Sequence, residues 1–160
     1  MTLKEQLSAD LREAMRANDE TRKSTLRLLL AAVRNAEIPP ELKEGEAAPD
    51  APRAELDDAA VLDLIRREVK QRRDSIEAYT QAKRPDLVAI EEAEAAVLAT
   101  YLPAQMSRDE IAAVARDVIQ RVGATGPADK GKVMPVIMAE LKNKAEGRDI
   151  NAVVTELLAG

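Results

Sequence analysis

Apolar side chains recur every three or four residues along most of this 160-residue chain, which is the spacing of a buried face on an α-helix. The two-residue alternation that marks a half-buried strand is absent. The pattern therefore predicts an all-α fold with seven helices. We expect the helices at about residues 3–17, 20–37, 57–82, 85–101, 108–122 and 128–142, and from Asp149 onward.

Local signals mark several of the predicted helix ends. Ser107 and Glu110 have the spacing of a capping box, and Gly123 is suited to ending the helix that follows. Pro85 fits the first turn of the fourth helix, because its fixed φ is helical and its missing N–H is not needed there. Pro135 falls inside the sixth helix, where we expect it to kink the helix or to delay its regular start.

Charge and proline content divide the chain into two parts. Residues 1–102 carry 16 basic and 21 acidic side chains, whereas residues 103–160 carry 8 of each. We predict two helical subdomains that meet at Leu102-Pro103. The first contains an antiparallel hairpin over about 57–101, and the second is a small three-helix bundle. Residues 39–55 hold four prolines and many acidic residues, which predicts a mobile acidic loop.

The apolar stripes of the hairpin predict its register. These stripes are residues 62, 65, 69, 72, 76 and 79 on one helix and residues 87, 90, 94, 97 and 101 on the other. Pairing Tyr79 with Leu87 places Arg72 opposite Glu94, and each is the only charged residue on its stripe. We predict a structural ion pair that fixes the register. The alternative is that Arg72 extends its guanidinium to solvent and Glu94 points into water.

The composition excludes many kinds of site. The chain has no Cys, His, Trp or Phe and only two Tyr. It therefore lacks zinc-finger ligands, a thiolate nucleophile, a Ser-His-Asp triad, and aromatic platforms for stacked bases. We predict no catalytic residue, no metal site and no cofactor. The N-terminus has no apolar signal region and no stretch reaches 18 apolar residues, so we expect no membrane association and a cytoplasmic location.

Several segments together carry a family resemblance. They are Lys70-Gln71-Arg72-Arg73-Asp74-Ser75, Arg84-Pro85-Asp86-Leu87, Tyr101-Leu102-Pro103, Gly131-Lys132-Val133-Met134 and Lys144-Ala145-Glu146-Gly147. In order and spacing they resemble the YqeY family over nearly the whole chain. The resemblance implies that the C-terminal part is similar to the tail of the B subunit of the glutamine-dependent tRNA amidotransferase, where the tail contacts tRNA. The family's usual label is carbon–nitrogen ligase with glutamine as amido donor.

Three positions depart from the pattern of the family. Pro135 stands where a small or polar residue is expected, Asn143 replaces a glycine, and Glu146 replaces an aspartate. The last two changes fall in the turn between the sixth and seventh helices.

The residue inventory argues against ligase chemistry by this chain alone. Glutamine hydrolysis needs an activated nucleophile, and the serines lie in helical or capping contexts. The stretch 123–132 has the wrong spacing for a phosphate-binding loop, so we interpret it as a loop and a helix start. Glu91, Glu92 and Glu94 form the densest acidic cluster, which we interpret as a solvated helix face plus the partner of Arg72.

Two classes of function remain. The first is a non-catalytic, tRNA-associated binding module, whose partners would be tRNA and a tRNA synthetase or amidotransferase component. Its predicted RNA-binding residues are Lys130, Gly131, Lys132, Lys142, Lys144 and Arg148, in a segment whose only acids are Glu140 and Glu146. The ordinary alternative for these residues is a solvated basic face at a helix end. The second class is a helical protein-interaction or regulatory protein without an RNA role.

Overall fold

The computed structural model describes residues 1–39 and 54–160 of the chain. These residues form helices and connecting turns without any strand, which confirms the all-α prediction. The helices are α1 (Leu3–Arg16), α2 (Glu20–Ala36), α3 (Asp58–Gln81), α4 (Pro85–Ala99), α5 (Arg108–Val122), α6 (Lys130–Glu140) and α7 (Gly147–Ala159). A short 3₁₀ turn, Pro127–Asp129, precedes α6. Most of the predicted acidic loop, residues 40–53, lies outside the described residues.

The described chain divides into two compact units, Met1–Leu102 and Pro103–Gly160. In the first unit, α1 packs against α2, and α3 pairs with α4 as a hairpin. Its core consists of Leu7, Leu26, Leu29, Leu30, Val33, Val61, Ile65, Val69 and Leu98, all of which are buried. The apolar stripes of all four helices therefore meet in one core, which fixes the positions of the polar side chains between them.

The second unit is a three-helix bundle in which α5, α6 and α7 each pack against the other two. Its core consists of Ile111, Ala115, Val118, Val133, Ile137, Leu141, Ile150, Val153, Val154 and Leu158. The Ser107 and Glu110 side chains close the expected capping box at the start of α5. Gly123 ends that helix in the left-handed conformation, with φ of 69°.

The ends of three helices differ from the sequence expectation by about two residues. After Ala99 the amides of Tyr101 and Leu102 bond to carbonyls three residues back, so the last turn of the hairpin is of the 3₁₀ type. The last helix begins at Gly147 rather than Asp149. Regular α6 begins at Lys130, because the preceding 3₁₀ turn occupies the first positions that we expected to be α-helical.

Pro135 lies inside α6, and the helix continues through it to Glu140. A proline has no N–H, so the carbonyl four residues earlier, that of Gly131, receives no helical hydrogen bond from it. The break in the hydrogen-bond ladder therefore falls in the first half of α6, between the positions of the predicted basic residues.

Candidate functional site

The predicted RNA-binding residues lie at the two ends of α6. Lys130, Gly131 and Lys132 form its first turn, whereas Lys142 and Lys144 follow its last residue. Arg148 lies in the first turn of α7. Because α6 has 11 residues, its two ends are about 16 Å apart. The structure therefore arranges the six residues as two groups rather than as one cluster.

The group that follows α6 lies in a turn with a fixed backbone, which we call the basic turn (residues 141–148). Asn143 adopts the left-handed conformation with φ of 66°. The amide of Lys144 donates to the Leu141 carbonyl at 2.9 Å, and the Lys144 carbonyl accepts from the amide of Met106 at 2.9 Å. Lys142 and Lys144 are exposed, and the amide and the carbonyl of Lys144 are both hydrogen-bonded to other parts of the second unit.

Asn143 also explains how the chain tolerates its departure from the expected glycine. A positive φ favours glycine, and asparagine is among the residues that adopt it most readily. The second departure, Glu146, forms the N-cap of α7 without a capping side-chain hydrogen bond, although its carbonyl accepts from Ile150 at 3.0 Å. The fold of the turn is therefore compatible with both replacements.

One acidic neighbour of the basic turn is already engaged by an arginine. Arg121 donates to a Glu140 carboxylate oxygen at 2.6 Å and to Asp117 at 2.8 Å. These hydrogen bonds, that to Glu140 first, raise the pKa of Arg121. In contrast, no ion pair engages Lys142 or Lys144 within the part of the chain that the structure describes. Glu140 therefore does little to offset the positive charge of these two lysines.

The group at the start of α6 is partly compensated. The Lys132 ammonium lies 3.5 Å from an Asp129 carboxylate oxygen. The same carboxylate accepts from the Thr125 amide at 2.9 Å and from its hydroxyl at 3.1 Å. The hydrogen bond from the Thr125 amide is the main cause that lowers the pKa of Asp129. Because the N-terminus of a helix is itself positive, two lysines in this turn are not explained by the helix dipole.

The structure brings together Arg72 and Glu94, and it adds a second carboxylate. Arg72 is 8% exposed, and its Nε lies 3.2 Å from a Glu94 carboxylate oxygen. Its Nη1 donates to the Glu68 carboxylate at 2.8 Å and to the Glu68 carbonyl at 3.3 Å. Sequence reasoning missed Glu68, although its position four residues before Arg72 on one helix is a recognisable signal. Arg72 therefore lies between the carboxylates of Glu68 on α3 and Glu94 on α4, and its pairing with Glu94 connects the two helices.

Three further polar contacts in the first unit were not expected from the sequence. Glu37 is 4% exposed and accepts from Lys4 at 2.5 Å and from the amide of Leu56 at 3.2 Å. The Tyr101 hydroxyl donates to Asp10 at 2.5 Å, and burial followed by this contact raises the pKa of Tyr101. All three contacts join residues that are far apart in sequence, so helical periodicity carries no signal for them. They join separate segments of the first unit to one another.

The sequence model of YqeY-like proteins matches residues 4–158. This chain belongs to the YqeY-like protein family. The match covers both units, so this family membership applies to the N-terminal helices as well as to the three-helix bundle.

Several fungal relatives are named "Altered inheritance of mitochondria protein 41, mitochondrial". The one from Eremothecium gossypii is 32% identical over 148 residues, covering 91% of this chain and 73% of the relative. Those from Lachancea thermotolerans and Saccharomyces cerevisiae are 40% and 34% identical over 96 residues, covering 60% of this chain and 46% of each relative. This YqeY-like chain therefore aligns with less than half of the length of these last two relatives.

The expectation of a cytoplasmic location is wrong, because these relatives are named as mitochondrial proteins. The expectation was based on the lack of an apolar signal region and of an apolar span. Those features separate secreted and membrane-spanning proteins from others, but they do not distinguish one aqueous compartment from another.

The described residues of this YqeY-like chain contain neither a membrane-spanning helix nor a metal-binding cluster. No helix in the described ranges is both long enough and apolar enough to cross a membrane. No group of three or more acidic, histidine or cysteine side chains there is placed to hold a metal ion.

Proposed function

We propose that this YqeY-like chain is a non-catalytic, tRNA-associated binding module whose second unit contacts the RNA backbone. The observation that carries the proposal is the basic turn, where Lys142 and Lys144 are exposed on a fixed backbone while Arg121 engages Glu140. The resemblance to the amidotransferase tail supports the same unit as the RNA-contacting part. It also relates the chain to carbon–nitrogen ligases that use glutamine as amido donor, as a companion rather than as the catalyst.

The proposed contact depends on phosphate charge and RNA shape. With two tyrosines and no other aromatic residue, the chain offers few rings on which bases could stack. Lysines act as flexible point charges that suit phosphate oxygens without reading sequence. The two groups of basic residues lie at opposite ends of α6, which is about 16 Å long. They could therefore contact phosphates that are not adjacent. We therefore expect similar binding to all tRNAs, with a tRNA synthetase or amidotransferase component as a further partner on the same RNA.

Charge reversal of the basic turn tests the proposal. At low ionic strength the wild-type protein should bind tRNA, with an affinity that falls steeply as salt increases. The double variant Lys142→Glu/Lys144→Glu should bind more weakly to every tRNA, and its log–log salt slope should fall by up to about two. Fluorescence anisotropy with labelled tRNA measures both quantities, and a melting curve confirms that the variant is folded.

A matched control separates the basic turn from net charge. Arg67 and Lys70 are exposed on α3 in the first unit, and Arg67→Glu/Lys70→Glu changes the net charge by the same amount. The proposal is contradicted if this control weakens binding as much as the reversal in the basic turn does. It is also contradicted if the wild-type protein shows no salt-sensitive binding to tRNA.

One observation favours the second candidate function, a protein-interaction role. Leu28 and Ile90 are 56% and 54% exposed, and both belong to the first unit. Ile90 lies on the predicted apolar stripe of the hairpin, where burial was expected. Exposed aliphatic side chains that line a concave surface are typical of sites that bind other proteins.

A further inference from the structure

The first unit contains a surface groove that takes no part in the proposed RNA contacts. Two clefts of about 400 and 430 Å³ lie between α2 and the α3–α4 hairpin, and Glu94 lines both of them. We call this surface the α2 groove. It is bounded by Ser24 and Leu28 of α2, Arg72 of α3, and Ile90, Glu91 and Glu94 of α4.

The shape of the groove suits a helix. Thr21, Ser24 and Leu28 are spaced by three and four residues, so they lie on one face of α2. Opposite them, Ala89 and Ala93 are spaced by four residues along α4. Four of these five side chains are small, which allows the backbone of another helix to approach closely. Leu28 and Ile90 then provide exposed aliphatic surface for apolar residues of that helix.

The acidic side chains of the groove favour a bound helix with positive charge. Four carboxylates line it, those of Glu20, Glu68, Glu91 and Glu94. Arg72 pairs with two of them and Lys23 pairs with Glu20, so two negative charges remain without a compensating cation. No hydrogen bond or ion pair engages the Glu91 carboxylate within the described ranges. An occupant that brings positive charge is therefore favoured over a neutral or acidic one.

We propose that the α2 groove binds a single basic amphipathic helix of a partner protein. The lining of α2 extends from Glu20 to Leu28, which is about 12 Å or two helical turns. The bound helix would have two or three turns, with apolar residues facing Leu28 and Ile90 and with Lys or Arg reaching Glu91. This proposal deepens the second candidate function and does not depend on RNA binding by the second unit.

Selection from a displayed library of random 16-residue peptides tests the proposal. Peptides that bind the full chain should share apolar residues at helical spacing, flanked by Lys or Arg. Fluorescence anisotropy then measures the affinity of the enriched peptides. The double variant Leu28→Gln/Ile90→Gln should weaken their binding by about tenfold or more, because both side chains would lose apolar contact. Glu91→Lys should also weaken binding and should reduce its dependence on salt.

The control is Met138→Gln, which changes an apolar side chain of similar exposure (41%) in the second unit and should leave peptide binding unchanged.

The proposal is overturned if no peptide is enriched, if the enriched peptides lack the basic amphipathic pattern, or if the double variant binds them as tightly as wild type. It is also overturned if sedimentation shows that the groove variant abolishes self-association, because the occupant would then be a second copy of the chain. If Leu28→Gln/Ile90→Gln abolishes tRNA binding, the occupant of the groove is RNA and the proposal of a partner helix is overturned. Loss of tRNA binding in Lys142→Glu/Lys144→Glu alone would support separate sites for RNA and for the partner helix.

Discussion

At the scale of single residues, Lys83 is the least favourable of the left-handed positions. Asn18, Lys83 and Asn143 all have positive φ. Asparagine adopts this conformation more readily than most residues, whereas lysine has no short polar side chain to support it. At the end of α3 the amides of Lys83 and Arg84 donate to the carbonyls of Thr80 and Tyr79. This pattern is the Schellman motif, whose left-handed position is usually glycine.

We therefore expect Lys83→Gly to stabilise the protein. The change removes the strain of a side chain at φ of 57° and adds backbone entropy to the unfolded state, with a net gain of about 0.5–1 kcal/mol in the free energy of unfolding. The control is Lys70→Gly in the interior of α3, which should lower the free energy of unfolding by about 1 kcal/mol. Urea denaturation measures both. Equal losses in the two variants would show that the turn gains nothing from glycine.

At the scale of elements, the register of the α3–α4 hairpin depends on a cation between two carboxylates. Arg72→Leu leaves Glu68 and Glu94 without their shared partner, and we expect a loss of about 3–5 kcal/mol in the free energy of unfolding. Glu94→Leu leaves Arg72 bound to Glu68, so its loss should be smaller, about 1–3 kcal/mol. Urea denaturation of both single variants and of the double variant gives the coupling. Additive losses, or a loss under about 1 kcal/mol for Arg72→Leu, would contradict a coupled, buried pair.

The elements themselves were largely predictable from the sequence, and the reason is local. Helical periodicity and caps such as Ser107 with Glu110 depend on neighbours within a few residues, so they are readable without the fold. The partners of Glu37 and Tyr101 lie far away in sequence, and no local pattern indicates them. Ile90 fits the apolar stripe of α4 but remains exposed, because the stripe predicts which face is apolar and not how far the other helices extend along it.

At the scale of the whole molecule, the two proposals fall on different units with different charge. The first unit includes the whole acidic excess of the chain, and the α2 groove retains two uncompensated negative charges. The second unit has equal numbers of acidic and basic residues, but the pairing of Arg121 with Glu140 leaves Lys142 and Lys144 uncompensated. Each unit also has its own core. The two binding roles can therefore be tested separately on one chain.

We expect the two units to be separate folding domains. Residues 103–160, expressed alone, should give a helical circular dichroism spectrum and a cooperative thermal transition, because α5, α6 and α7 bury a core of their own. A domain of this size is only marginally stable, so we expect a free energy of unfolding of a few kcal/mol. The control is Val118→Asp in the same fragment, which places a charge in the core and should abolish the transition. A fragment that melts without cooperativity would show that this core needs the rest of the chain. It would also remove the basis for assigning RNA binding to residues 103–160 alone.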